Sequence, residues 1–161
     1  MDEALIKNWN DKVGPNDVVY HLGDFSFRNA NAYRDRLNGH IGFIMGNHDA
    51  SASGAYHSAK INKEKPPFIF FEDVTEVNVN GQKIFLSHYA HRVWNKSHHG
   101  SYMIHGHCHG NLHHGEDASF YVNRKVIDVG CMLHDYKPIS YEQVIDKLSH
   151  VVLPKLTRTI E

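Results

Sequence analysis

Four short blocks of possible metal ligands occur in order along this sequence of 161 residues. Each block places an Asp, Asn or His side chain beside a small residue, and each follows an apolar run that is typical of a buried strand. The blocks are Leu22-Gly23-Asp24, Gly46-Asn47-His48-Asp49, Ser87-His88 and Gly106-His107-Cys108-His109. Open α/β sheets bind ligands at the carboxyl ends of their strands, so the pattern favours a metal site there. Hydrolysis of a phosphate ester is a reaction that suits such a site.

Each of the first two blocks also has a simpler explanation when it is taken alone. Gly23-Asp24 is more typical of a turn, because Gly and Asp are both common in turns. In the second block, Gly46 lets the backbone approach closely, and Asn47 offers a neutral oxygen ligand. His48 offers a titratable imidazole that Asp49 could orient. This block supports a turn and a site about equally.

The histidine blocks differ in how strongly they indicate a ligand. His88 alone is more typical of a structural histidine. His107 and His109 are flanked by glycines that permit a turn, so both imidazoles could reach one small volume. Cys108 between them is then expected to point elsewhere. A Cys108 ligand is the rival interpretation, although thiolate sites usually recruit several cysteines.

Composition limits the partners of the chain. The net charge of −1 gives no overall basic field, so the sequence gives no strong sign of nucleic-acid binding. No apolar run approaches the ~20 residues of a membrane span, so we expect no membrane partner. The two cysteines, Cys108 and Cys131, do not have CxxC spacing, which favours a reducing cytoplasm. Most of the 15 histidines are expected to lie on the surface.

Hydrophobic periodicity and turn residues predict one α/β domain over residues 1–161. Helices are predicted at 2–12, with Asp2 as its cap, at 29–37, and at 140–149. Ser140 and Gln143 have the spacing of a capping box for the last helix. Extended segments are predicted at 18–22, 41–45, 68–71, 74–79, 83–87, 102–104 and 120–129. Asn80-Gly81 predicts a hairpin, and residues 51–65 a loop or irregular helix.

The four blocks, in this order, resemble the calcineurin-like metallophosphoesterase family over roughly residues 17–135. The segments Tyr20-His21-Leu22-Gly23-Asp24-Phe25 and Gly106-His107-Cys108-His109-Gly110-Asn111 are similar to small phage and bacterial members. The resemblance implies a four-layer αββα sandwich with a two-metal centre at the strand ends. It also implies hydrolysis of a phosphate ester by a metal-activated hydroxide. Carboxylate, amide and imidazole ligands suit Mn²⁺, which we expect, or Fe, Zn²⁺ or Ni²⁺.

The resemblance also assigns roles to individual residues. The implied metal ligands are Asp24, Asn47, His88, His107 and His109. Asp24 would bridge the two metals, and His109 would bind the first metal. His48 is similar to the catalytic histidine that assists the leaving group, with Asp49 holding it in place.

One block of the family pattern is not found. Relatives have an Asp-x-His at the end of an opening strand, whereas no such pair precedes Asp24 and residues 2–12 predict a helix. We therefore expect the first strand to be missing and the first metal to retain only Asp24 and His109. An exposed sheet edge would then favour a homo-oligomer. The alternative to an enzyme is a catalytically impaired domain with one complete metal site, and generic metal sequestration by histidines is a third, weaker option.

The sequence says little about the substrate beyond a small phosphate ester. Arg92, four residues after His88, could contact a phosphate oxygen, although an exposed structural arginine is the commoner case. Tyr89, Trp94 and Phe25 could line a pocket or only pack against neighbours. These motifs do not separate phosphodiesters from phosphomonoesters.

Overall fold

The computed structural model of the chain describes residues 2–27, 29–50 and 68–154. Three α-helices lie wholly within these residues, namely α1 (Asp2–Asn10), α2 (Ala30–Arg34) and α3 (Tyr141–Ser149). The strands are β1 (Val18–His21), β2 (His40–Ile44), β3 (Phe68–Glu72), β4 (Val74–Val79), β5 (Gln82–Ser87), β6 (Tyr102–His105) and β7 (Val126–Asp128). The segment 51–65, expected to be a loop or irregular helix, lies outside the described residues.

The strands form two sheets. The first has the order β1-β2-β3 with all strands parallel, and the second has the order β4-β5-β6-β7. In the second sheet β4 and β5 form the predicted antiparallel hairpin, with Asn80-Gly81 at its turn, while β5, β6 and β7 run parallel. Gly81 has a φ of +85°, which accounts for glycine at this position of the turn.

Three apolar clusters hold the layers together. One cluster joins side chains of both sheets, including Ile44 from β2 and Leu86 from β5, so the sheets pack face to face. Val144 of α3 belongs to the same cluster. The other face of the first sheet packs under α1 and α2, with Phe43 at its centre. The other face of the second sheet packs against the loop that follows β5, where Trp94 is buried.

This arrangement confirms the mixed α/β fold with two sheets that was predicted for the chain. The capping box at α3 is also present, with Ser140 Oγ accepting from the Gln143 backbone N–H. Asp2, in contrast, lies inside the first turn of α1, where its carboxylate accepts a hydrogen bond from Tyr33 Oη rather than capping the helix.

The extended segment predicted at 120–129 is largely wrong. Only β7 is a strand, and Gly115–Phe120 forms 3-10 turns that lead into an irregular turn. Phe120 and Tyr121 pack against the outer face of the second sheet instead of joining it. Within the part of the chain that the structure describes, no helix has the length and apolar character needed to cross a membrane.

Candidate metal centre

The loops after β1 and β2 approach each other so closely that two positions must be glycine. Gly23 has a φ of +90°, and a Cβ placed there would lie 2.5 Å from His88 Nδ1 and 2.6 Å from the Gly46 nitrogen. A Cβ on Gly46 would lie 2.5 Å from the Asp24 nitrogen and 2.9 Å from His88 Cε1. The absence of both side chains lets Asp24 come beside His88.

The buried carboxylate of Asp49 fastens these two loops together. It is 1% exposed and accepts backbone N–H bonds from Asp24 (2.6 Å), Phe25 (2.7 Å) and Gly46 (2.7 Å). Hydrogen bonds to an ionised acceptor are stronger than neutral ones, so this one side chain fixes both loops. The role expected for Asp49, orientation of the His48 ring, stays a prediction, and the hydrogen bonds of its carboxylate given above are to the backbone.

His88 is the centre of the site. Its ring is 2% exposed, and Nδ1 lies 2.7 Å from the carbonyl oxygen of Leu22. Nε2 lies 3.1 Å from Asn47 Oδ1, 3.1 Å from His107 Nδ1 and 3.5 Å from Asp24 Oδ2. The ligand atoms of Asp24, His88 and His107 all lie within 4.8 Å of one another.

The chemistry of these donors fits a divalent cation. A carbonyl oxygen can only accept, so the bond to Leu22 requires a proton on His88 Nδ1, and in the neutral ring with this tautomer Nε2 presents a lone pair. That lone pair faces the oxygen atoms of Asn47 and Asp24 and a nitrogen of His107. Carboxylate and amide oxygens and imidazole nitrogens are donor types that divalent cations take in proteins, and here they converge within a few ångström of one another. A hydrogen bond from the second ring nitrogen to a backbone carbonyl is also the usual support of a metal-binding histidine.

His107 reaches the cluster from a tight turn at the end of β6. Its φ is +61°, and the N–H of Cys108 donates to the Gly106 carbonyl across it at 2.7 Å. The exposed Tyr89 ring packs on the His107 ring with centroids 4.7 Å apart. Tyr89 Oη also donates to Asn47 Oδ1 at 3.3 Å, so it contacts two residues of the cluster.

A second layer of buried polar groups lies behind His107. His105 is fully buried, and this burial lowers the pKa of its imidazole, which is therefore neutral near pH 7. Its Nε2 lies 2.8 Å from Tyr121 Oη. Burial raises the pKa of Tyr121, so the phenol keeps its proton and can donate it in this hydrogen bond. Asp128, at the end of β7, accepts from the backbone N–H groups of Gly110 (3.0 Å) and Gly130 (2.9 Å).

Comparison with known proteins decides the family. The family model of the calcineurin-like phosphoesterase superfamily domain matches residues 2–125. The chain belongs to this superfamily. The protein is 33% identical over 165 residues to the uncharacterized protein MJ1445 of Methanocaldococcus jannaschii, with 99% of this chain and 80% of that protein covered. Membership supports metal-dependent hydrolysis of phosphate esters as the general chemistry.

Solved structures of similar proteins were also found. AQ665 of Aquifex aeolicus, described as a protein of unknown function, is 28% identical with a TM-score of 0.64 over 91% of this chain and 84% of its own. An archaeal phosphodiesterase is 24% identical with a TM-score of 0.49 over 80% of this chain and 74% of its own.

The structure brings together four of the five metal ligands expected from the superfamily pattern, namely Asp24, Asn47, His88 and His107. His109 is exposed, with a φ of +49°, and is not in the group of three formed by the described His, Cys, Asp and Glu side chains. Cys108 is not in that group either. His48 is exposed and packs on Phe27 with ring centroids 4.9 Å apart, while its backbone N–H donates to Asp24 Oδ1 at 3.0 Å.

The remaining candidate, Arg92, and three further histidines of the segment after β5 lie elsewhere in the described chain. Arg92 is exposed, and its carbonyl accepts a hydrogen bond from Arg124 at 2.6 Å. His91 contacts Ser87 Oγ at 3.0 Å, and His98 and His99 pack on each other in a 3-10 turn. None of these histidines belongs to the group around His88.

Sequence reasoning missed two contributors to the centre. The Leu22 carbonyl, which fixes the His88 ring, has no sequence signal because any residue has a carbonyl. Asp128 did have a sequence signal, since it follows the apolar pair Val126-Ile127 as Asp24 follows its own apolar run. The extended segment predicted at 120–129 continued past Asp128, so the strand end at this residue was not recognised.

Proposed function

We propose that this protein hydrolyses small phosphate esters at a divalent metal centre held by Asp24, Asn47, His88 and His107, with Mn²⁺ as the preferred ion. The convergence of oxygen and nitrogen atoms of Asn47, Asp24 and His107 on His88 Nε2 carries this proposal. His109 remains a candidate ligand of a second ion. A bound divalent cation lowers the pKa of water and neutralises charge on phosphoryl oxygens.

The residues of this chain would orient the substrate and move the proton. Asp49 holds the backbone that carries Asp24, and Tyr89 Oη holds the Asn47 side chain. His48 is exposed beside this loop, so its imidazole can donate a proton to the leaving-group oxygen. Its packing on Phe27 limits the directions in which the ring can point.

Exposed aromatic rings beside the site favour a substrate with a planar apolar group. Phe27 is 74% exposed where it contacts His48, and Tyr89 is 47% exposed where it contacts His107. Large exposed apolar side chains at a polar site are typical of ligand contacts. Arg92 is a further candidate for contact with a phosphate oxygen. Nitrophenyl phosphates offer both an ester and a planar ring, and they are suitable probes.

Release of nitrophenol from mono- and bis-nitrophenyl phosphate tests the proposal. We expect turnover that depends on Mn²⁺ and is abolished in Asn47→Ala. His48→Ala should lower kcat by about 10²–10⁴, the usual contribution of a general acid. His150→Ala, which removes an exposed histidine after α3, should leave the rate unchanged. Folded protein without turnover in any divalent ion would contradict the proposal.

A second candidate is a metal-binding domain with impaired catalysis. It is favoured because the described His, Cys, Asp and Glu side chains form a single group of possible ligands. Metal analysis separates the two candidates when it is combined with the rate. One tightly held ion per chain without turnover supports the metal-binding domain, whereas two ions with turnover support the enzyme.

Neither Cys108 nor Cys131 is in a disulfide, which agrees with our proposal of a cytoplasmic location.

A further inference from the structure

The turn that carries His107 rests on a buried pair of side chains. His105 is the last residue of β6 and is fully buried, with Nδ1 2.8 Å from the Gly106 carbonyl oxygen. Its other ring nitrogen, Nε2, lies 2.8 Å from Tyr121 Oη. A chain of two hydrogen bonds therefore runs from Tyr121 through His105 to the backbone immediately before His107.

The Gly106 carbonyl is the point where this chain acts. It also accepts a hydrogen bond from the N–H of Cys108 at 2.7 Å. This bond joins residues two apart in the sequence and closes a turn around His107, whose φ is +61°. Turns of this kind with positive φ at the middle residue are rare and strained, and they persist only where surrounding contacts hold them. The bond from His105 to the same carbonyl is such a contact.

The Gly106 carbonyl determines which nitrogen of His105 is protonated, and Tyr121 supports the same tautomer. The Gly106 oxygen only accepts, so Nδ1 must carry the proton for that bond to form. In this tautomer Nε2 has a free lone pair to which the phenol can donate, so the bond to Tyr121 adds to its stability. The Tyr121 ring is itself held by stacking on His113, with centroids 4.2 Å apart and planes 14° apart.

We propose that His105 and Tyr121 are positioning residues for the metal ligand His107. Tyr121 stabilises the Nδ1–H tautomer of His105, which bonds the Gly106 carbonyl and fixes the turn that aims His107 Nδ1 at His88. The inference rests on the proposed metal centre but does not require turnover. Binding of Mn²⁺ to the full chain therefore tests it separately from phosphoesterase activity.

Tyr121→Phe removes the O–H group and keeps the ring. We expect its dissociation constant for Mn²⁺ to rise about tenfold, the lower end of the effect of losing an outer partner of a metal ligand. Calorimetric titration of the chelator-treated full chain measures this. An unchanged dissociation constant overturns the proposal.

Tyr141→Phe is the matched control. Tyr141 Oη donates to the Val79 carbonyl at 2.9 Å and is also partly buried, but this bond supports the β4–β5 hairpin rather than the His107 turn. We expect the control to bind Mn²⁺ as the wild type does. A loss of affinity equal to that of Tyr121→Phe would reveal a general structural effect and would overturn the proposal.

The tautomer can be read directly in the wild-type protein. Long-range ¹H–¹⁵N correlation of the imidazoles should show His105 protonated at Nδ1, and Tyr121→Phe should raise the share of the tautomer protonated at Nε2. A wild-type His105 protonated at Nε2 would overturn the proposal without any variant. A merely structural role for the phenol would leave this signature unchanged.

Discussion

His21 is a partly buried histidine packed between aromatic rings. Its ring stacks on Phe43 with centroids 5.4 Å apart and meets the edge of Phe25 at 5.0 Å. Nδ1 is buried and has no hydrogen-bond partner among the described residues. Burial lowers the pKa of His21 from 6.5 to about 4, outweighing the opposite effect of Asp49 and Asp24.

Acid should therefore destabilise the protein through His21. The unfolded chain binds a proton here below pH 6.5 and the folded chain only near pH 4, so stability falls as the pH drops between these values. From pH 7.5 to pH 5 we expect a loss of about 2 kcal/mol that is absent in His21→Phe. Urea denaturation with a chelator present measures it. The control variant His150→Phe changes an exposed histidine and should retain the wild-type pH dependence of stability. If His21→Phe also retained the wild-type pH dependence, this prediction would be refuted.

The sequence could predict which side chains are candidate ligands, but only in part what supports them. The order of the four blocks carried the resemblance to the superfamily, and that resemblance implied as ligands Asp24, Asn47, His88 and His107, which the structure brings together. Asp49 was expected to orient its neighbour His48, since adjacent residues are the only partners a sequence displays. Two of its observed partners, the N–H groups of Asp24 and Phe25, lie on another loop and become neighbours only after the sheet forms.

Among the elements, the two loops after β1 and β2 are the most tightly constrained. Gly46 does not have a positive φ, so its backbone conformation is open to other residues. Only the space for a side chain is lacking. A methyl group there would displace the Asp24 backbone or the His88 ring. Either displacement moves a proposed ligand.

Gly46→Ala should consequently weaken metal binding without unfolding the chain. We expect the dissociation constant for Mn²⁺ to rise at least about tenfold, because close-packed atoms transmit the shift to the ligands. Gly81→Ala is the control, since Gly81 has a φ of +85° in the hairpin with nothing within 4 Å of an added Cβ. The control should lose about 1 kcal/mol of stability and no affinity. Wild-type affinity in Gly46→Ala would contradict this account of the loops.

The elements also show where local pattern stops being informative. The hairpin at Asn80-Gly81 and the strands before each ligand followed from apolar runs and turn residues. Residues 120–122, Phe-Tyr-Val, are apolar and aromatic like the residues of those strands. They nevertheless lie at the end of a 3-10 segment and in the turn that follows it. Phe120 and Tyr121 bury their rings against the outer face of β6 and β7. Burial against a sheet and membership of a sheet select the same residue types, so sequence alone did not separate them.

At the scale of the molecule, β1 is an edge strand of the first sheet in the described part of the chain. An unpaired edge can pair with a second copy, so we predict a homodimer through β1. Val18→Lys changes a 54% exposed side chain on this strand and should shift the dimer to a monomer in light scattering after size exclusion. Val152→Lys, at a 77% exposed position beyond α3, should leave the dimer intact. A wild-type monomer at all concentrations would rule out the prediction.

The proposed ligands come from both sheets, with Asp24 and Asn47 following β1 and β2, and His88 and His107 following β5 and β6. A cation bound there would act as a cross-link between the layers, because separating the sheets would require its release. At a free ion concentration of about 100 times the dissociation constant, this linkage adds about 2.7 kcal/mol to folding. Metal supply would then set the lifetime of the protein against proteolysis as well as its activity.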